Sequence, residues 1–189
     1  MKKLALVIVF VQISLISYGQ NLFNDFEDLD GVTSIVINNK MFSMLSSIEI
    51  NPSNPEEQQF WDMIKNITSL KVLTTDDESI ALDMGKRVKQ YLNKSNLDEL
   101  MRIKDGDQTV SMYIAEGKDE FHVKELLMFV NGIKEITSEQ NITINGTKRD
   151  IETIILLLNG DIDLRQISRL TEKMDVPGVK HLNKAGVNN

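Results

Sequence analysis

The chain has no cysteine. That removes thiol nucleophiles, thiolate metal sites and disulfides. It also removes the cysteine through which a lipid would tether an exported protein. Histidine is nearly as scarce, with only His122 and His181. The two are not spaced as a zinc pair. His122, beside Val123 in a strand pattern, reads as a sheet-surface or edge residue rather than a base. No GxSxG elbow and no phosphate-cradling glycine loop occurs. Basic residues are outnumbered, 21 Lys and Arg against 28 Asp and Glu, for a formal charge of −7. An acidic chain repels phosphate backbones and anionic lipid, so neither nucleic acid nor a membrane surface is an expected partner. Beyond the opening residues no run is apolar enough to span a bilayer.

What is present begins with MKKLALVIVFVQISLISYGQ. Lys2 and Lys3 form a positive start, residues 4–16 an apolar middle, and Ser17 and Gly19 the small residues before a cut. The expectation is an export leader over 1–19, cleaved between Gly19 and Gln20. The protein then reaches the periplasm or the outside, with no transmembrane span in the mature form and no lipid anchor. Removing the leader from the 189 residues leaves 170, and losing the two lysines takes the charge to −9. That length suits one domain with a core large enough to need no staples. The expected divisions are a lead segment over 20–31, a single domain over 32–176 and a flexible tail over 177–189.

The lead segment carries Phe23, Phe26 and Leu29 at a spacing of three, the pattern of a short amphipathic helix. VTSIVIN, residues 32–38, is apolar on both faces and predicts a buried strand. A short helix over 40–47 would bury Met41, Met44, Leu45 and Ile48. The next helix has Asn54 as cap, Pro55 in its first turn and Glu57 closing a capping box, with Phe60, Trp61, Ile64 and Ile67 facing inward. SLKVLTT, residues 69–75, is a strand. Thr75 and Glu78 then fit a capping box for a helix whose apolar stripe is Ile80, Met84, Val88, Tyr91 and Leu92. The second half turns to strands, with tight turns at Asp105-Gly106 and Glu116-Gly117. In one of them Val110, Met112 and Ile114 form the core face, and Thr109, Ser111 and Tyr113 the wetter one. Residues 133–150 predict a further hairpin, and IETIILLLNG a central strand.

Two aspartates, Asp161 and Asp163, follow that strand. We expect a turn at Asn159-Gly160, Asp163 as helix cap with Gln166 reaching back to it, and an Ile162–Ile167 staple. Leu164, Ile167, Leu170 and Met174 continue the stripe to Pro177-Gly178. Leu164 and Arg165 stand where a calcium loop needs glycine, so the pair is a joint rather than a metal site. Around DLDG, residues 28–31, the same loop would place Phe26 and Ile37 at ligand positions, and it fails. The carboxylates of TTDDES are accounted for by a helix start. The methionines read as core fillers. The sequons at Asn66, Asn93, Asn141 and Asn145 carry no assignment. No catalytic, cofactor-binding or metal residue is assigned, and no cofactor is expected.

Three blocks in order, LMRIKDGDQTVSMYI, VKELLMFVNG and LLLNGDIDLRQISRL, together with the leader, resemble the DUF4252 family. The resemblance spans roughly residues 30–173 and implies a small exported Bacteroidetes protein with no settled activity, from which no catalytic residue can be carried over. Relatives with a cysteine at the cut are lipoproteins; this chain lacks it. Residues 133–150 are longer than the family's usual connection, which makes that hairpin's tip a candidate contact. The expected fold is one α+β domain, a mainly antiparallel sheet with helices packed largely on one face. The expected function is a non-catalytic envelope module that binds another envelope protein or component. The alternatives are a small-ligand binder, a carboxylate-based hydrolase whose site forms only in three dimensions, and a self-associating structural protein.

Overall fold

A computed structural model describes residues 20–48, 52–139, 143–144 and 147–167. Residues 1–19 and 168–189, with the expected leader and tail, His181, Leu170 and Met174 among them, lie outside the described residues, as do Asn141 and Asn145.

Six strands form one sheet in the order β1-β2-β8-β5-β4-β3, with every neighbouring pair antiparallel. They are β1 Val32–Ile37, β2 Ile67–Thr75, β3 Asp98–Asp105, β4 Gln108–Glu116, β5 His122–Asn131 and β8 Thr153–Asp163. The helices are α1 Asn39–Ser46, α2 Pro55–Asn66, α3 Glu78–Lys94 and α4 Lys134–Glu139, preceded by a 3-10 helix at Gln20–Phe26. The two-residue strands β6 Thr143–Ile144 and β7 Thr147–Lys148 pair as a separate hairpin, so the hairpin expected over 133–150 occupies only the later part of that segment, the first being helix α4. The strand, helix, helix, strand, helix order of the first half is the expected one, and so is the α+β class.

The helices are shared between the two faces of the sheet. On the first face α3 and the 3-10 helix bury Phe23, Phe26, Met84, Val88 and Tyr91 against Leu73, Tyr113, Leu127, Ile155 and Leu157. On the second, α1 and α2 bury Phe42 and Met63 against Ile67, Val123, Leu126, Leu158 and Ile162. Strand residues alternate between faces, so a strand covered on both sides must be apolar at every position. β8 sits between β2 and β5 and meets that demand with Ile154 to Leu158. Phe23 and Phe26, three apart, stack on one side because a 3-10 helix turns in three residues.

Several expectations are corrected. β1 is an edge strand, not a buried one, and Ile35 and Val36 are exposed. In α1 it is Phe42 that enters the core, with Leu45 partly buried, while Met41, Met44 and Ile48 face outward. A helix turns 100° per residue, so burying the larger Phe42 carries the methionines out of the core. Phe60 of α2 is likewise exposed and Met63 takes the core position. On β4 both faces meet core, because Met112 and Ile114 pack against the second cluster while the expected wet face is the more deeply buried. Ser111 and Tyr113 are buried beside Leu127, while Val110, Met112 and Ile114 are half-buried.

The chain does not turn at Asn159-Gly160. β8 runs straight through it to Asp163, with breaks in register against both neighbours. Gly160 has φ 148°, and a Cβ there would lie 2.3 Å from the carbonyl oxygen of Asn66. The glycine therefore marks a bulge and a close backbone approach. Asp163 does cap the next turn, accepting from Arg165 N–H at 3.0 Å. Ile162 and Ile167 join the same apolar cluster, as the staple requires. The Gln166 side-chain oxygen is buried without a hydrogen-bond partner, so the reciprocal half of the box is not made.

Candidate interaction surface

A sheet of this kind has two edges, and each offers a row of unpaired backbone groups unless something blocks it. β3, DELMRIKD, is blocked. It carries Asp98, Glu99, Arg102, Lys104 and Asp105, and its register against β4 is broken between Glu99 and Met101. Arg102 is bonded to both Glu99 and the Tyr113 hydroxyl, and the Tyr113 bond first, then Glu99, holds its guanidinium even further above neutrality.

β1, VTSIVI, has none of these devices. It has no charged residue and pairs with β2 in unbroken register. Val32 N–H bonds to the Leu29 carbonyl. No other described backbone hydrogen bond from β1 reaches anything but β2. Its exposed apolar side chains are Ile35 at 51% and Val36 at 48%. Asn38 then caps α1, accepting from Met41 N–H at 3.2 Å. The outward face of α1 adds Met41 at 47% and Met44 at 57%, and Ile48, just past the helix, is 54% exposed. Half of the ten large exposed hydrophobics among the described residues thus lie within positions 35–48. Ile35 and Val36 point to opposite faces, so exposed apolar side chains flank this edge on both sides, the arrangement that strand-adding partners use.

The acidic residues weighed in the sequence are brought to different places. Asp161 pairs with Lys118 at 2.6 Å. Asp163 pairs with Arg165 at 2.7 Å, and that hydrogen bond is the main reason its carboxyl stays below the usual range. Arg165 in turn lies over the Phe121 ring at 4.6 Å. His122 sits on β5 opposite Asp163 in register, and its Nδ1 is 2.7 Å from Asp119. Asp119 also accepts from the N–H groups of Phe121 and His122. The constellation ties the β4–β5 connection to the end of β8 and leaves each acid a partner.

TTDDES is divided in the same way. The α3 cap is Asp77, not Thr75: its carboxylate accepts from Ser79 N–H at 2.8 Å and Ile80 N–H at 3.0 Å, and the Ser79 hydroxyl bond first of all lowers its pKa. Thr75 instead donates to the Gly31 carbonyl. Asp76 pairs with Arg149 and Glu78 with Lys134.

One open cleft of about 690 Å³ lies between the start of α3 and the β3–β4 turn. Its lining includes Glu78, Asp105, Asp107, Glu135 and Glu152, with Lys134 among them. Among the described residues no group of three or more His, Asp or Glu is placed to hold a metal ion. Sequence reasoning missed a half-buried acid. Glu125 of β5 accepts from the Tyr91 hydroxyl at 2.5 Å beneath α3. Burial pushes its carboxyl above the ordinary 4.5, an effect the Tyr91 bond partly offsets. Its signal was a lone acid inside an apolar strand, VKELLMFV.

Fold and surface define a class: an α+β domain on a six-stranded antiparallel sheet, with one charged edge and one that no other described strand pairs with. The family follows from comparison. The model of a domain of unknown function, DUF4252, matches residues 26–170, and the chain belongs to that family. No curated protein and no solved structure matches it.

Proposed function

We propose that this protein is a non-catalytic binding module of the cell envelope that takes a protein partner along β1 and α1. The observation that carries the proposal is the uncharged, unbulged edge of β1, bordered by Ile35, Val36, Met41, Met44 and Ile48. Backbone pairing along such an edge supplies affinity, and flanking apolar side chains supply selectivity. Export is part of the proposal and rests on the leader-like residues 1–19. No described helix is long and apolar enough to cross a membrane. The tip of the 133–150 segment, the other candidate contact, lies outside the described residues, so the proposal rests on β1 and α1.

The test is to express the full chain with its own leader in its host, cross-link gently and recover what binds. Retention of a near-stoichiometric protein by the wild type, lost on Ile35→Lys and kept when the 133–150 hairpin is shortened, is the expected result. Equal recovery by wild type and Ile35→Lys would remove β1 as the surface.

The alternative, a small-ligand binder or carboxylate hydrolase, has the acidic cleft on its side. It predicts that a small polycation such as spermidine raises the melting temperature of the wild type, and that neutralising Asp105 and Glu152 abolishes the shift.

A further inference from the structure

We infer that the partner on β1 is a second copy of this chain, joined edge to edge in an antiparallel β1–β1 pair. This rests on the reading of β1 as the contact surface and names what occupies it.

The first argument is charge. Two copies of an acidic chain repel at long range, so self-association needs a contact free of like charges. β1 is such a contact, since none of its six residues is charged. Along the chain the charges begin just outside it, with Asp30 before the strand and Lys40 in the first turn of α1, both exposed, while Glu27, whose carbonyl accepts from Ser34, is paired with Lys71. An antiparallel pair brings the start of one strand beside the end of the other, so Asp30 approaches Lys40 of the second copy, twice by symmetry. A parallel pair would set Asp30 against Asp30. The flanking charges therefore choose the antiparallel arrangement.

The second argument is geometry. Two antiparallel edge strands related by a two-fold axis must have that axis perpendicular to the sheet, and residues facing each other then point to the same side. Only registers joining positions of equal parity satisfy this. Centring on Ile35 faces Ile35 with its copy, Ser34 with Val36 and Thr33 with Ile37. The two half-exposed apolar residues of β1 are then covered, Ile35 by itself and Val36 by the neighbouring strand. The result is one continuous twelve-stranded sheet, as two six-stranded sheets meet. Its outer edges are both β3, whose charges and bulge stop further addition, so the assembly closes at two copies.

A seam of six residues is small beside a typical interface of about 1,600 Å². The dimer is therefore expected to be reversible, with dissociation in the range of roughly micromolar or weaker. The chain's lack of cysteine makes a direct test available, because one introduced thiol is the only one in the molecule.

The experiment uses the full chain processed and purified from its host. Sedimentation over a wide concentration range should show the mass rising from one copy to two. Ile35→Lys, at an exposed position, should raise the dissociation constant at least about tenfold by facing two charges across the axis. Leu100→Lys on β3 should leave it unchanged. Ile35→Cys should form a covalent dimer on mild oxidation, and Leu100→Cys should not. A wild type that stays monomeric, with Ile35→Cys oxidising no faster to dimer than Leu100→Cys, overturns the inference. If that monomer still captures a different envelope protein that Ile35→Lys loses, the second copy is wrong and the β1 reading stands. If it captures none, both fall together.

Discussion

The two faces of the sheet obey different rules. On the first face polar groups are sealed in: Ser111, Thr75 and Thr153 are buried there with Leu127 and Ile155, under α3 and the 3-10 helix. On the second, a register row of apolar residues crosses the sheet from edge to edge, Ile35, Val72, Leu156, Met128, Met112 and Met101, and every member from Val72 onward is only half-buried. Side-chain polarity alone would have assigned these faces the other way round on β4. Both faces carry helices, α3 on the first and α1 with α2 on the second, so what decides burial is which stretch of a face lies beneath one.

The sharpest way to break this comparison uses neighbours in sequence. Leu127 is fully buried on the first face. Leu127→Ala should cost about 2–5 kcal/mol, since the surrounding core cannot collapse onto the vacancy. Urea denaturation reads the loss. A cost below about 1 kcal/mol would mean that α3 is not seated as described.

The next largest effect concerns the polar bond under α3. Tyr91→Phe strips Glu125 of its hydroxyl donor and should cost about 1–3 kcal/mol. Glu125 also sets a pH dependence. Its folded-state pKa is raised by burial, so the folded protein holds that proton more tightly than the unfolded chain. The resulting stability is full below the ordinary value of 4.5 and is lost as pH rises through the raised value. Glu125→Gln keeps an acceptor for Tyr91 and removes the charge. Its stability should fall less than the wild type's above pH 4.5, which paired melting curves would show.

Much of this was legible in the sequence, and the failures share one cause. The α3 stripe of Met84, Val88 and Tyr91 and the Asn54–Glu57 cap were readable because helix periodicity and capping act within a few residues. The central place of β8 was readable from its doubly apolar run. β1 was misread because a doubly apolar run also occurs in an edge strand, and local pattern cannot tell the two apart. Ser111 and Tyr113 were misread because alternation gives two faces but not which one a distant helix will cover. Asn159-Gly160 looked like a turn, yet the glycine serves a bulge against Asn66, more than ninety residues away in sequence. The bare edge itself was invisible until strand order was known.

A smaller effect tests the element that closes the first face. Asp77→Ala removes the α3 cap and leaves N–H groups of Ser79 and Ile80 without their acceptor. The melting temperature should drop by a few degrees, and Asp77→Asn should recover most of it. Loss of the cap should also speed hydrogen exchange in the first turn of α3 without changing exchange in β5.

The smallest effect is the counterpart of the largest. Met128 adjoins Leu127 in the chain but points to the second face, in the half-buried row. Met128→Ala should cost less than about 1 kcal/mol, because the side chain is already partly solvated and leaves no closed cavity. The contrast with Leu127→Ala is the measurement that matters, since both substitutions change the same strand and share its backbone pairing. A ratio of several-fold between the two costs would establish that the Met128 row is less covered than the core beneath α3. Near-equal costs would show that the second face is as tightly packed as the first, and the apolar row would then belong to the core rather than to the surface.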